Sequence, residues 1–346
     1  MQASLIVVNY NDRDYLDACL ASLLADGGPD YEVILVDNAS TDGSADHVTR
    51  AFPTVRLIRN PSNAGFGAAN NVGAREARGE YLVFVNPDTV VEAGWFRPLV
   101  AALEADPQAG LATSRILLLA DRERINTCGN ETHYTGLTLC RGMGLERERL
   151  AEPAVVGAVS GAAFAVRREL FHALGGFDEM FFLYMEDTDL SWRARLTGYR
   201  CLYVPQSVVY HDYTLRFGPL KTYYQERNRY AMLLKNLRWG TLFVLAPALL
   251  LAELVAWGFV LLRERSRWTN KLRAYAWVIQ HWQQIAAQRR RVQSLRQVRD
   301  RELVAGSTYR LAFEQTGKGR IARLAHLLFD PCFFLLRRWA LLVVWW

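Results

Sequence analysis

The sequence predicts an α/β fold, a mixed but mostly parallel sheet with helices on both faces, followed by a helical, basic and apolar C-terminal region. Three observations carry this. Short β-branched runs alternate with amphipathic stretches through the first hundred residues, charge divides unequally between the two parts of the chain, and the long apolar runs begin only after residue 238.

Residues 3–8 form an apolar, β-branched run that reads as a strand, and residues 9–14 are a polar turn before an amphipathic segment at 15–24. The order then repeats, with strands expected at 31–36, 55–58 and 81–85 and helices at 44–51, 67–78 and 95–104. Strands separated by helices run parallel, and such sheets bind ligands at the carboxyl ends of their strands. Beyond residue 110 the pattern loosens. Apolar runs at 155–166, 201–204 and 208–210 are strand candidates, while residues 121–153, rich in Arg, Glu and Gly, read as an excursion or mobile loop.

With 346 residues and 51% hydrophobic content, the chain can fill one large core and build a second region. The division is expected near residue 220, giving 1–220 and 221–346. The net charge of +6 hides an asymmetry, because residues 1–215 carry 18 Lys/Arg against 28 Asp/Glu and residues 216–346 carry 23 against 7. A basic region beside apolar runs suits an anionic membrane surface, and nucleic acid is not the expected partner. The five cysteines are scattered and include no C-x-x-C pair, which excludes a disulfide framework or a zinc site and fits a reducing compartment. The first apolar run is too short for a signal peptide, so the N-terminal part is expected to stay in the cytoplasm.

Polar clusters follow the predicted strands. Asn9-Tyr10-Asn11 and Asp37-Asn38-Ala39-Ser40-Thr41-Asp42 each close one; a carboxylate such as Asp37 could accept from the N3–H of uracil or thymine, with Tyr10 stacked on the ring. A helix cap explains the second cluster equally well. The run from Asn63 through Gly65 and Gly67 to Asn70 contains G-x-G but lacks the third glycine and follows the third strand, which argues against a dinucleotide fingerprint and leaves a tight helix entry near ribose or phosphate. Asn86-Pro87-Asp88-Thr89 ends another strand, where Asp88 could bind Mg²⁺ or Mn²⁺ beside a diphosphate, or simply form a Pro-Asp turn. Glu186, Asp187 and Asp189 crowd three carboxylates into four residues, which raises at least one pKa and suits a base, although acid enrichment in a first helical turn looks the same. Trp192 and Arg193 on the same helix are candidates for acceptor contact or support, and Asp189 with Arg193 also reads as a helix ion pair. His211, at the end of a strand, could complete a metal site begun by Asp88.

Taken together, V-V-N-Y-N, V-D-N-A-S-T-D-G-S, N-x-G-F-G-x-x-N, F-V-N-P-D-T, G-G-F-D-E-x-F-F, Y-M-E-D-T-D-L-S-W-R and V-x-H, in this order over roughly residues 3–215, resemble the family 2 glycosyltransferases with the Rossmann-like GT-A fold. The resemblance implies that Asp37 and Tyr10 meet the donor base, that Asn11, Asn63, Gly65, Asn70 and Asn86 line the nucleotide-sugar site, that Asp88 and His211 hold Mg²⁺ or Mn²⁺, and that Asp187 is the base, with Glu186 beside it. Asn86 stands where the family's D-x-D motif has its first carboxylate, so weaker metal affinity is expected. A nucleotide diphosphate-sugar donor (dTDP-rhamnose or a UDP-sugar), inversion at the anomeric carbon and a lipid-linked or cell-surface glycan acceptor follow from the same resemblance, which extends to a rhamnosyltransferase-like subgroup. The competing readings are a catalytically silent membrane-associated scaffold, disfavoured by the intact acids, and a processive polysaccharide synthase, disfavoured by the missing Q-x-x-R-W motif.

Residues 239–262 contain no Lys or Arg, a length that could cross a bilayer. One crossing would put residues 263–326, with 15 Lys/Arg against 4 Asp/Glu, outside, against the positive-inside bias. A break at Pro247, giving two short helices that enter and leave one leaflet, is the expected alternative, with an amphipathic helix after Trp268 and the final segment 327–346 at the interface. The expected location is the cytoplasmic face of the membrane; packing on the catalytic domain or a homo-oligomer interface is the other use for these apolar runs.

Overall fold

The computed structural model describes residues 1–25, 30–213, 220–316 and 319–346, and these gather into two compact units. The first takes in most of residues 1–213; the second takes in the helices that follow, together with Glu131–Leu139 and Arg195–Gly198.

The first unit opens with β1 (Ala3–Asn9), α1 (Arg13–Ala25), β2 (Tyr31–Asp37), α2 (Ser44–Ala51), β3 (Arg56–Arg59), α3 (Phe66–Glu76), β4 (Tyr81–Val85), β5 (Thr89–Val91) and α4 (Phe96–Ala105). It continues with β6 (Ala109–Leu118), β7 (Ile125–Thr127), β10 (Ala154–Val156), β11 (Ala163–Arg167), α5 (Arg168–Leu174), α6 (Glu186–Leu196) and β12 (Arg200–His211), while β8 (Asn130–Thr132) and β9 (Thr138–Cys140) fall mostly in the second unit. The main sheet runs β10-β12-β6-β11-β4-β1-β2-β3, with β5 paired to β12 and β7 to β6; β8 and β9 pair separately. β1 is parallel to β2 and β4, β2 to β3, and β6 to β12, whereas β11 is antiparallel to both β4 and β6. The carboxyl ends of β1, β2, β4, β6 and β12 therefore share one edge, and β11 begins there.

Alternation along the strands builds a core on each face. Leu5, Val7, Val83 and Val85 bury against Leu16 and Leu20 of α1 and Leu99 and Leu103 of α4. Ile6, Val8, Leu82 and Phe84 bury on the other side against Ala69 and Ala74 of α3 and Phe171 and Leu174 of α5.

The mixed sheet is present as expected, but four local readings change. The stretch 155–166 is two strands with a turn at 157–162, and that turn faces the ligand edge. The runs at 201–204 and 208–210 are one strand, β12, irregular between Val204 and Val208. β6 was hidden because AGLATSRILL is buried on both sides and has no alternation to read. Residues 121–153, expected to be an excursion, contain β7, β8 and β9.

The second unit is helical: α7 (Lys221–Asn236), α8 (Trp239–Arg263), α9 (Thr269–Gln280), α10 (Trp282–Leu295), α11 (Asp300–Ala305), α12 (Phe313–Thr316) and α13 (Arg320–Val343). Contrary to the expected break, α8 runs unbroken through Pro247. The single amphipathic helix expected after Trp268 is two, divided at His281. Among the described residues, α8 is the one helix long and apolar enough to cross a membrane.

Candidate active site

The site residues are positioned by strand ends. Asn9 and Asp37 are register partners on β1 and β2, and Asn9 Nδ2 donates to Asp37 Oδ1 at 2.8 Å and to the hydroxyls of Ser40 and Ser44 at 2.8 and 2.7 Å. With two N–H for three neighbours, Nδ2 donates to the carboxylate and to one hydroxyl at a time, and this arrangement holds a buried carboxylate in place at the sheet edge. Asn11, at φ 60°, accepts from the Thr41 backbone N–H at 2.8 Å, so the turn after β1 is tied to the turn after β2. Tyr10 lies between these anchored neighbours with 46% of its surface exposed.

A second asparagine network fixes the entry to α3. Asn38 donates to Asn63 Oδ1 at 2.9 Å and its own oxygen accepts from Asn60 and the Ala64 backbone; Asn63 Oδ1 also accepts from Gly65 N–H at 2.9 Å. Gly65 sits at φ 87°, and a Cβ there would lie 2.5 Å from the Phe182 carbonyl oxygen, so this position requires glycine on two counts. Phe66 N–H donates to that same carbonyl at 2.7 Å. Asn70, by contrast, is buried and gives its amide to the Phe66 carbonyl of its own helix at 3.0 Å, away from the role expected of it. The adjacent Asn71, also buried, ties α3 to residues 177–179: it accepts from Phe177 N–H at 2.9 Å and donates to the Phe177 carbonyl and to Glu179, each at 3.0 Å.

Asp88 directly precedes β5, whose Thr89 is the register partner of His211 at the end of β12. The Asp212 N–H donates to the Asp88 carbonyl at 2.9 Å. Residues far apart in sequence are thereby joined, with His211 Nε2 3.2 Å from Asp88 Oδ1. His211 Nδ1 is 2.9 Å from Asn126 Oδ1 on β7. If Asn126 accepts there, Nδ1 carries the proton and Nε2 turns its lone pair toward the carboxylate. Nearby, Asn86 Oδ1, Asp88 Oδ1 and Asn126 Nδ2 are buried without a hydrogen-bond partner. The 3.2 Å His–Asp approach is thus a close contact without hydrogen-bond alignment. Negative charge also collects here: burial raises the Asp12 carboxyl above its usual range, with Asp88 and Asp42 adding to the effect.

These groups fit a hard divalent cation. Lone pairs converge, a carboxylate and an imidazole face each other, and orphaned oxygens would gain a partner. Among the described residues no group of three or more His, Cys, Asp or Glu could hold an ion unaided, so oxygens from outside the chain would have to complete the shell.

Asp187 opens α6. Its Oδ2 accepts from Gly161 N–H at 2.8 Å and its Oδ1 from Thr188 N–H at 2.6 Å, while Asn130 Nδ2 lies 3.5 Å away. Gly161 belongs to the turn ahead of β11, whose Ala162 carbonyl accepts from Asn86 N–H at 3.0 Å. Through that turn, Asp187 stands beside the end of β4. Burial raises its pKa, against the lowering influence of the two N–H donors. Glu186 is buried, its Oε2 has no partner, and burial together with the charges of Asp187 and Asp189 pushes its carboxyl up to about 8. Three non-glycine residues just upstream, Phe182, Tyr184 and Met185, adopt positive φ, a concentration of backbone strain of the kind found at functional sites.

Trp192 and Arg193 do not reach the site. Trp192 is 1% exposed, and Arg193 is buried, with Nε 2.8 Å from Asp189 and Nη1 2.9 Å from the Leu174 carbonyl. Position on α6 decides this, since at 100° per residue Trp192 and Arg193 point about 140° and 120° around the helix from Asp187, toward the core.

A sequence model of glycosyl transferase family 2 matches residues 4–175. The N-acetylglucosaminyl-diphospho-decaprenol L-rhamnosyltransferase of Mycobacterium tuberculosis is 30% identical over 234 residues, 60% of this chain and 74% of that protein. Staphylococcus aureus TarS 1-349 in complex with UDP-GlcNAc superposes with a TM-score of 0.57 at 17% identity, covering 98% of this chain and 91% of that one. The mannosyltransferase PcManGT from Pyrobaculum calidifontis, in complex with GDP-Man and Mn²⁺, gives 0.53 at 20% identity, covering 98% and 84%. At these identities the structural likenesses show a common fold.

Proposed function

The chain belongs to glycosyl transferase family 2, with the GT-A fold, and from that premise we propose that it transfers a sugar, with inversion, from a nucleotide diphosphate donor to a hydroxyl of a lipid-linked or cell-surface glycan. The observation that carries this reading is the gathering of Asp37, the Asp88–His211 pair and Asp187 at one sheet edge by strand ends and the 157–162 turn. We assign the chemistry to residues 1–220 and membrane association to 221–346. The name of the mycobacterial relative favours a rhamnosyl donor and a diphospho-polyprenol acceptor; the fold neighbours with UDP-GlcNAc and GDP-Man keep other donors in view. A lipid-linked acceptor and a basic second unit favour work at the cytoplasmic face of the membrane.

In this reading Asp37 accepts from the donor base and Tyr10 covers it. Asn11, Asn63 and Gly65 hold the turns against which ribose and phosphate lie. Asp88 and His211 would hold Mg²⁺ or Mn²⁺, with Asn86 near by, and the ion would offset the charge of the diphosphate leaving group. Asp187 takes the proton of the acceptor hydroxyl as that oxygen attacks the anomeric carbon from the face opposite the diphosphate. Its two backbone donors orient the carboxylate and leave each oxygen a further lone pair for that proton. One displacement inverts the centre, and no carboxylate nucleophile is needed. The test is a donor panel of dTDP-rhamnose, UDP-galactofuranose, UDP-glucose and UDP-N-acetylglucosamine, read by nucleotide release with Mg²⁺ or Mn²⁺. One donor should be turned over well above the others, and turnover of none would reject the reading.

A further inference from the structure

Of twenty-six exposed large hydrophobic side chains among the described residues, twenty-one lie at or beyond Leu220, in the second unit. They are ordered. On α8, Trp239, Phe243, Leu250, Leu254 and Leu261 are all exposed, and at 100° per residue they fall within an arc of about 60°. Val244, Leu245, Ala248 and Ala252, on the opposite side of the helix, are buried. On α13, Ile321, Leu324, Leu328, Leu335, Trp339 and Leu342 are exposed within a similar arc of about 60°, and Leu327, Phe334 and Val343 widen the exposed apolar face to about half of the helix. Each helix is therefore half covered, with one apolar stripe left to solvent, far more than singly scattered surface residues require.

What covers the stripes is decided by charge and by an anchor. Arg263 and Arg265 follow the α8 stripe, and Arg320 and Arg338 flank that on α13, all exposed. A second copy of this chain would press one strongly positive surface against another, whereas anionic phosphate headgroups match it. Five exposed tryptophans (239, 268, 282, 339 and 345) sit in this unit, and both tryptophans of the first unit are buried. Exposed Trp with flanking Arg suits the interfacial depth of a bilayer, where a ring sits in the apolar boundary and a guanidinium reaches the headgroups.

The anchor is Glu253, fifteenth of the twenty-five residues of α8. It pairs with Arg229 of α7 at 3.0 Å and with the fully buried Lys271 of α9 at 2.5 Å, and it accepts from Tyr230 and Tyr275. Glu226 completes the cluster, 2.6 Å from Lys271 and 3.0 Å from Arg229. Midway along its length, α8 is thus clamped to two polar helices. To cross a bilayer it would have to carry α7 and α9, with their other charges, into the hydrocarbon.

Resting on the membrane association assigned above to residues 221–346, we propose that the exposed stripes of α8 and α13 dock on an anionic bilayer surface, with α8 lying along the interface and not across it. The test is vesicle flotation of the full chain, comparing phosphatidylcholine alone with mixtures containing phosphatidylglycerol. Wild type should float with the anionic vesicles. Leu250→Glu/Leu254→Glu should lower partition at least about tenfold, the scale of losing one buried leucine, and Leu145→Glu in the first unit should not. Nitroxides at Phe243→Cys, Leu250→Cys and Leu261→Cys, with Cys332→Ser, then report depth. Equal depths are expected, whereas a crossing helix would put residue 250 about 10 Å deeper than residue 243. Unchanged flotation of the double variant overturns the proposal, as does a deeper residue 250. A wild-type dimer that the double variant abolishes, without vesicle binding by either, assigns the stripe to a second copy instead and likewise overturns it.

Discussion

Replacing Glu186 by Gln isolates what the carboxyl does from what its shape does. In the folded chain, burial and the neighbouring Asp187 and Asp189 push Glu186 up to about 8 from an ordinary 4.5. Between those values the unfolded chain has lost the proton that the folded chain still holds. A raised folded pKa gives stability that is fully present below the unfolded value and disappears as pH climbs through the folded one. The slope is up to about 1.4 kcal/mol per pH unit, and because Asp187 shares the site, a loss of roughly 2–4 kcal/mol between pH 4.5 and 8 is expected for wild type relative to the variant. Gln keeps the shape and cannot ionise. Denaturant unfolding followed at pH 5 and pH 8 should find the two proteins close at the lower pH and Glu186→Gln the more stable at the higher. Turnover at pH 7, where Glu186 already holds its proton, should stay within a few-fold of wild type. A stability difference that is constant with pH, or one that favours wild type as pH rises, would refute this account of the pair. A hundredfold loss of turnover would move the base from Asp187 to Glu186.

Three further outcomes are expected. Asn126→Ala should weaken Mn²⁺ binding in the presence of UDP about 10- to 100-fold, followed by the electron paramagnetic resonance signal of free Mn²⁺, because His211 loses the partner that orients it; Asn126→Asp, which keeps an acceptor, should bind at least as well as wild type. Gly65→Ala should raise KM for the donor and lower stability by about 1–3 kcal/mol, since the new Cβ meets backbone, which cannot turn aside, and a melt unchanged from wild type would count against it. Asp88→Ala and His211→Ala should each raise the metal requirement, and full activity in excess EDTA would remove the ion from the mechanism.

Much of this was legible in the chain because strand ends advertise themselves. Apolar β-branched runs followed by Asn9, Asp37 or Asp88 predicted both the parallel sheet and the edge at which those residues would meet. Asn126, Asn130 and Gly161 were invisible for the opposite reason. They sit in short strands and a turn with no periodicity, and only tertiary pairing brings them to His211 and Asp187. Asn70 and Asn71 could not be told apart from sequence, since which of two adjacent helical amides turns back on its own helix and which bonds residues 177–179 depends on the rotation of α3. Arg193 and Trp192 carried the right chemistry for an acceptor site and lay on the wrong face of α6. Pro247 misled because it removes only one helical hydrogen bond, a loss that a 25-residue helix packed along one side can absorb.

With Asp187 proposed as the base of a glycosyl transfer to an acceptor hydroxyl, the decisive comparison is Asp187→Asn against wild type on the preferred donor and a lipid-linked acceptor. Nucleotide release should fall by at least about a hundredfold while donor affinity, measured separately, stays within a few-fold. Near-normal release by Asp187→Asn at unchanged affinity would contradict that role.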